Sequence, residues 1–286
     1  MTLTTRRFLQ TAALLGAGLL LAACGKKEAA PAPQAAAPAA APAPAAKVYV
    51  VGTDAAYAPF ESQNEKGEIV GFTVDVVNAA AARGDFQVKF VNTPWEGIFN
   101  ALQQGDRDVI ASSVTITDER KQTMDFSDSY FDAQQLIAVK QNSKVTKFSD
   151  LKKLKVGVQT GTTGDEAVTK MMGKTNTNIK RFESTPLALK ELEAGGVDAV
   201  VADNGVVINY VANNPGGKFK SIADKEFAPE QYGFAVKKGN AELLAKINKG
   251  IAAIKSDSTY TTIYMKYFGA PPAPAAAAAP APAASK

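Results

Sequence analysis

From Val109 to Tyr130 the chain reads VIASSVTITDERKQTMDFSDSY, and this stretch holds its densest set of residues able to do chemistry. A short apolar run ends in the hydroxyls of Ser112, Ser113 and Thr115, and a helix start follows. Thr117 suits an N-cap, and Asp118 and Glu119 suit the positive end of a helix dipole. Arg120 does not: a cation in the first turn costs from a few tenths to about 1 kcal/mol. An anion placed beside it would offset that cost. Hydroxyls, free amide N–H groups and a guanidinium converging at a strand end make a carboxylate receptor. The plainer alternative is a solvated arginine after a polar turn.

Other residues pose the same kind of choice. Thr160-Gly-Thr-Thr-Gly164 before a helical stretch is either an anion-binding nest or an ordinary glycine-rich turn. It lacks the Gly-Lys-Ser/Thr of a nucleotide-binding P-loop. Asp203 closes an apolar run, where a charge is costly unless paired. It either holds an ammonium group or caps the next helix. Tyr57 and Trp95, the latter the sole tryptophan, either sandwich a planar or cationic group or belong to the core. Asp54 caps its turn or meets a ligand donor; Gln159, at a strand end, could read an amide or a guanidinium.

Composition narrows the chemistry. The 286 residues contain no histidine and one cysteine, Cys24. That excludes disulfides within the chain, zinc sites built on Cys or His, and every histidine-based triad. Five of the 32 basic residues (Arg6, Arg7, Lys26, Lys27, Lys286) and one of the 28 acidic ones (Glu28) lie outside 47–269, which leaves that segment with no net charge. A nucleic-acid footprint is therefore not expected, nor is any cofactor or metal.

The ends have their own character. Arg6 and Arg7, an apolar stretch from Phe8 to Leu20, and Leu21-Ala22-Ala23-Cys24 form a secretory signal over residues 1–23. The last four residues of that run resemble a bacterial lipobox, which implies cleavage before Cys24 and a lipid on its sulfur. Residues 24–46 become nearly pure Ala and Pro, a semi-extended tether, and residues 270–286 repeat that composition as a tail.

Between them, an apolar strand at Val48, a helix from Thr73 to Gly84, a strand from Phe86, a helix from Trp95 to Gln104 and a strand at Val109 form a βαβαβ series. A second series begins at Lys155, with a strand to Gln159, helices over 165–172 and 187–194, and a strand over 197–202. This is an α/β pattern with mostly parallel sheets. Leu102, Gly105 and Asp108 recur as Leu192, Gly195 and Asp198, each trio leading into an apolar strand, which indicates internal duplication. Ligands bind outside the C-terminal strand ends of such sheets, so two lobes facing through those ends make a cleft. The strands at 135–140 and 232–237 are the expected crossovers, with one lobe built from 47–138 and 233–269 and the other from 139–232.

In order, the chain carries Thr53-Asp54-Ala-Ala-Tyr57-Ala-Pro59-Phe60, Gly71-Phe72-Thr-Val-Asp75, Trp95, Thr115-Ile-Thr117-Asp-Glu-Arg120, Asp125-Phe-Ser127, Gln159-Thr-Gly-Thr-Thr, Gly196-Val-Asp198-Ala-Val-Val-Ala-Asp203 and Gln231-Tyr-Gly. This set resembles the family 3 periplasmic solute-binding proteins that feed amino-acid ABC importers, over essentially all of 47–269. The resemblance implies a two-lobed Venus-flytrap fold and a free L-amino acid as ligand. It places the α-carboxylate on Arg120 with Thr115, Ser113 and the Thr162 N–H, the α-ammonium on Asp203, and the side chain among Asp54, Tyr57, Trp95 and Gln159. Ser112 completes the set. The run after Gly161 resembles the arginine-binding branch, and Asp54 between aromatics favours a cation, so arginine, lysine or histidine is expected ahead of glutamine. An enzyme related to cyclohexadienyl dehydratases is the remaining reading, disfavoured by the Arg120/Asp203 pair. The implied partners are importer permease subunits and, through Cys24, a membrane of the cell envelope, with the protein itself a monomer.

Overall fold

The apolar run at Val48 forms the strand Val48–Thr53, and the helical spacing after it forms Phe72–Arg83, which ends at Gly84. The computed structural model describes residues 47–270 other than Pro215; the signal, Cys24, the tether and the Ala/Pro tail after Ala270 lie outside them. Val48–Thr53 pairs in parallel with Gln87–Asn92 on one side and Val109–Ile110 on the other. Two antiparallel strands complete this sheet, in the order Gln87–Asn92, Val48–Thr53, Val109–Ile110, Ala235–Lys237, Met124–Phe126. The second sheet repeats the plan with Ile179–Phe182, Val156–Gln159, Ala199–Asp203, Gln135–Lys140 and Phe219–Ile222. Its first three strands are parallel and its last two antiparallel. No described helix is long and apolar enough to cross a membrane.

Central strands are apolar through their middle positions because helices cover both faces of each sheet. Ala199 and Val201 join Ile137, Val139 and Val168 on one face of the second sheet; Val200 and Ala202 join Leu136, Leu189 and Leu192 on the other. In the first sheet Val109 and Val236 face Val76, Ala80, Ile247 and Ile251, whereas Ile110 and Ala235 face Ile98 and Leu102. Each fully buried side chain of this kind contributes about 1.5–3 kcal/mol.

The duplicated trios do the same job twice. Gly105 and Gly195 end their helices at φ of 86° and 84°. Asp108 donates its N–H to the Val50 carbonyl at 2.8 Å and accepts the Val50 N–H on its carboxylate at 2.8 Å. Asp198 makes the same two bonds with Lys155, both 2.8 Å. Each aspartate locks the entry of its third strand to the first.

Several expectations are corrected. The helix expected from Trp95 starts at Ile98, because Gly97 takes φ of 92° and leaves Trp95 in a turn. The segment expected as one strand at 232–237 is two, Glu230–Tyr232 and Ala235–Lys237, broken at Gly233-Phe234. Gln135–Lys140 is no crossover: all six residues lie in the second sheet, so a boundary at 138/139 cuts through a strand. The chain instead passes between sheets at Phe131–Ala133 and Glu230–Tyr232, which pair antiparallel with each other.

The helix Ala241–Ser256 packs on Phe72–Arg83 through Gly250, where an added Cβ would stand 2.1 Å from the Ala80 carbonyl oxygen. Gly→Ala within a helix ordinarily gains about 0.5–1 kcal/mol, but forcing two packed helices apart costs about 1–3. Gly250→Ala is therefore expected to destabilise the protein in urea or thermal melts, and Gly250→Val more so; unchanged or raised stability would refute this close approach.

Candidate ligand-binding site

Thr117 caps the helix Asp118–Thr123, its hydroxyl accepting the Arg120 N–H at 3.1 Å. One terminal nitrogen of Arg120 donates to the Thr115 carbonyl at 3.0 Å; the other donates across the lobes to the Gly161 carbonyl at 3.3 Å. The guanidinium lies 5.4 Å from the Trp95 ring and 5.3 Å from the Phe99 ring. Among the described residues it forms no salt bridge. Burial lowers its pKa, while Glu166, Glu230 and Asp203 act on it through space in the opposite sense. This is not a solvated arginine. Its cation is half-buried, flanked by aromatics and unpaired.

The loop opposite is largely self-satisfied. Gly161, at φ of 70°, donates its N–H to Asp165 at 3.1 Å. The Thr162 hydroxyl donates to the Gln159 carbonyl at 2.9 Å and accepts the Asp165 N–H at 3.2 Å, so it caps the helix Thr163–Met172. The Thr162 N–H turns back to the same Gln159 carbonyl at 3.4 Å. The N–H expected at a ligand carboxylate is thus engaged within its own turn. Thr163 is the first helical residue, whose N–H has no acceptor within the helix, and its hydroxyl donates to Glu230 at 2.9 Å.

Asp203 stands at the N-cap of Asn204–Asn213, yet its side chain caps nothing. It accepts from the Tyr57 hydroxyl at 2.5 Å and from the Gln135 amide. Burial, with Glu230 nearby, raises its pKa to about 6. The same Gln135 nitrogen contacts Glu230 and Thr163, each at 3.2 Å, while Gln135 Oε1 has no partner. Glu230 also accepts the Thr115 hydroxyl at 2.7 Å, and so touches both lobes from the crossover strand. Burial and the Asp203 charge push the Tyr57 phenol well above its ordinary range.

The remaining expected residues gather at the same strand ends. Ser112 accepts the Asp54 N–H at 2.9 Å. Ser113 is buried at φ of +49°, a conformation side chains other than glycine seldom adopt, and its hydroxyl has no partner. Beside it Glu61 is wholly buried, neither carboxylate oxygen in hydrogen-bond geometry; burial raises its pKa well above the carboxylate range, with Thr73 and Ser113 near enough to oppose that. Asp54 is raised by burial, against the Trp95 backbone N–H and Gln159. Gln159 reaches Asp54 across the lobes at 3.4 Å.

Thus Asp54, Tyr57, Trp95, Ser112, Ser113, Thr115 and Arg120 converge from one lobe, and Gln159, Thr162 and Asp203 from the other. Trp95 packs edge-on to Phe99 at 5.1 Å, and Tyr57 lies on Phe60 at 6.2 Å. Phe99, Gln135, Thr163 and Glu230 escaped the sequence reading. Of these only Thr163, inside the threonine-glycine run, carried a local signal. A cavity of about 890 Å³ adjoins the constellation through Thr115, Gln135, Thr163 and Glu230. The described residues hold no cluster of His, Cys, Asp and Glu able to bind a metal.

Comparison with known proteins identifies a family. Residues 49–270 match the family described as bacterial extracellular solute-binding proteins, family 3. A probable histidine-binding protein of Neisseria gonorrhoeae is 46% identical over 258 residues, 90% of this chain and 94% of that one. The arginine-, lysine-, histidine-binding protein ArtJ from Geobacillus stearothermophilus superposes with a TM-score of 0.76 at 47% identity, covering 79% of this chain and 97% of that one. An ancestral arginine-binding protein bound to glutamine gives 0.72 at 44% identity, covering 78% and 98%.

Asp203 makes stability depend on pH in a definite sense. Its folded pKa of about 6 exceeds the ordinary 3.8, so between those values the folded state binds more protons and stability falls as pH rises. The carboxylates held low, Asp125, Asp150 and Asp224 among them, act below this window. Asp203→Asn is expected to flatten the decline between pH 4 and 6, by up to about 3 kcal/mol, in denaturant titrations without added amino acid. An unaltered slope would show that Asp203 titrates normally.

Proposed function

The chain belongs to the bacterial extracellular solute-binding proteins of family 3, and on that premise we propose that it captures a free basic amino acid for an ABC importer. The fold is the two-lobed one of these proteins, and the cleft between its sheets is the place of capture. One observation carries the choice of ligand: Asp54, Asp203 and Glu230 converge on a cleft whose constellation includes a single cation, Arg120. A ligand with one carboxylate, one ammonium and a cationic side chain brings a net positive charge to this excess of carboxylates. Arginine, lysine and histidine fit; glutamine is the runner-up, since it brings no net charge.

In this reading Arg120 takes the α-carboxylate, with Ser113, Thr115 and the N–H of Thr163 completing the receptor. A planar guanidinium pairs with a carboxylate through two parallel hydrogen bonds, which orient as well as attract. Asp203 takes the ammonium. Asp54, Tyr57, Trp95 and Gln159 surround the side chain. Because Arg120 and Asp203 come from different lobes, a zwitterion touching both binds the closed arrangement better than an open one, and closure follows from that difference in affinity. The same charge balance disfavours catalysis on prephenate-like dianions, whose second carboxylate would enter among three others. The chain is thus a binding protein, not an enzyme.

Cys24 is the proposed attachment point to a membrane of the cell envelope. Its place directly after Leu21-Ala22-Ala23, and its being the sole cysteine, support this.

Calorimetric titration with twenty amino acids, arogenate and prephenate tests the ligand class. Arginine, lysine or histidine is expected to bind most tightly; binding of glutamine alone, or turnover of prephenate, would overturn the reading. Arg120→Ala is expected to weaken binding about 100-fold or more, since it leaves a buried carboxylate unpaired. Its Tm should move by only a few degrees, because only two bonds to carbonyls are lost; a collapse in Tm would mark Arg120 as structural. Cys24→Ser is expected to shift the expressed protein from the membrane to the soluble fraction of the envelope, and retention on the membrane would exclude lipidation at that site.

A further inference from the structure

Gln159 spends every hydrogen-bonding position of its amide. Its nitrogen donates to Asp54 at 3.4 Å and to the Glu183 carbonyl at 3.1 Å; its oxygen accepts the Thr185 hydroxyl at 2.9 Å and the Thr185 N–H at 3.3 Å. Two donors and two acceptor sites are all that an amide offers. Gln159 is 5% exposed and Thr185 2%, so water does not compete for these bonds. The reversed amide would set its oxygen against the Asp54 carboxylate and the Glu183 carbonyl, and its NH₂ against the Thr185 N–H. The network admits one orientation.

That orientation bears on the ligand. A glutamine with all four positions engaged is not a free reader of a guanidinium. It is a strut between the lobes, presenting N–H to an aspartate of the other lobe. We propose that Thr185 is a positioning residue for specificity: its hydroxyl and N–H set the Gln159 amide so that Nε2 supports and aims the Asp54 carboxylate toward a cationic ligand side chain. This inference rests on the basic amino-acid reading above and assigns it a further residue. Thr185 opens the helix Thr185–Ala194. Its N–H, an orphan in any helix, is satisfied by Gln159 rather than by Ser184, whose side chain caps nothing. Loop and helix therefore share one amide, and the Thr185 hydroxyl supplies the shortest of its four bonds.

A purely structural role predicts something different. If Thr185 only secured the helix start, its loss would weaken every ligand alike. If it aims Asp54, the loss falls on ligands whose side chains carry positive charge. The experiment is calorimetric titration of arginine, lysine and glutamine into the wild-type protein, Thr185→Val and Thr185→Ser, with melts to show that each variant is folded. Thr185→Val is expected to weaken arginine and lysine about threefold to tenfold, the worth of one buried hydrogen bond, with glutamine changed by less than about twofold on the same reasoning. Thr185→Ser, which keeps the hydroxyl, is expected to restore the preference. Thr185→Ala, which removes the same hydroxyl without the β-branched bulk of valine, gives a second route to the same selective loss should Thr185→Val fold poorly. Equal weakening of all three ligands, or unchanged arginine affinity in Thr185→Val, overturns the proposal and leaves the function standing. A wild-type protein that binds neither arginine nor lysine overturns both.

Discussion

The Gln135 amide nitrogen has two hydrogens and faces three acceptors: Asp203, Glu230 and Thr163. Donors run out there before acceptors do. Two carboxylates crowd one amide at the meeting of both lobes and the crossover strand, and neither has a cation in contact. Taking ions from water into such a place costs several kcal/mol each unless they are paired. The structure meets that cost partly by shifting Asp203 toward its neutral form. A cationic group supplied between the lobes would meet it better. The cleft is organised around a deficit of positive charge, and the arrangement of its elements follows from the need to hold that deficit at one place.

Holding it there is the work of the duplicated plan. Each sheet brings three parallel strand ends to one side, and in each an aspartate before the third strand ties that strand to the first, Asp108 to Val50 and Asp198 to Lys155. The polar residues just past those ends, Asp54 and Ser112 in one lobe and Gln159 and Asp203 in the other, inherit the rigidity of a buried sheet. The contacts between lobes fall on these same residues: Arg120 to Gly161, Tyr57 to Asp203, Asp54 to Gln159. Motion at the crossover pair therefore changes the environment of every charged group at once.

What was legible in the sequence follows the same division. Strands buried on both faces betray themselves as apolar runs, and a polar residue ending such a run is conspicuous, so Ser112, Gln159 and Asp203 could be found. Arg120 stood out because it opposes a helix dipole. The crossovers were misplaced because Gln135–Lys140 is as apolar as any central strand, whereas the true crossing strands, Phe131–Ala133 and Glu230–Tyr232, have three residues each. Gln135 and Glu230 had no local mark. Their partners lie at separations of 68 and 95 residues for Gln135 and 115 for Glu230 with Thr115, and only the closed topology brings them together. The helix expected at Trp95 failed for a simpler reason: Gly97 adopts a left-handed conformation that the periodicity of Ile98, Phe99 and Leu102 does not reveal.

Glu61 sharpens the count of charge. Read from the sequence, it would be a further anion beneath the cleft, within electrostatic reach of Asp54 and Asp203. Its complete burial without a hydrogen-bonded oxygen argues otherwise, because a carboxylate in that position keeps its proton at pH values where an exposed glutamate has lost it. That raised pKa weakens the field it adds beside Ser113 and Tyr130. The negative charge that a ligand meets then resides with Asp54, Glu230 and, once an ammonium favours its ionised form, Asp203. Those groups lie on the first lobe, the crossover and the second lobe in turn. A cation entering the cleft would therefore be drawn by all three parts of the fold together, and its neutralisation of them would favour the arrangement in which they are closest.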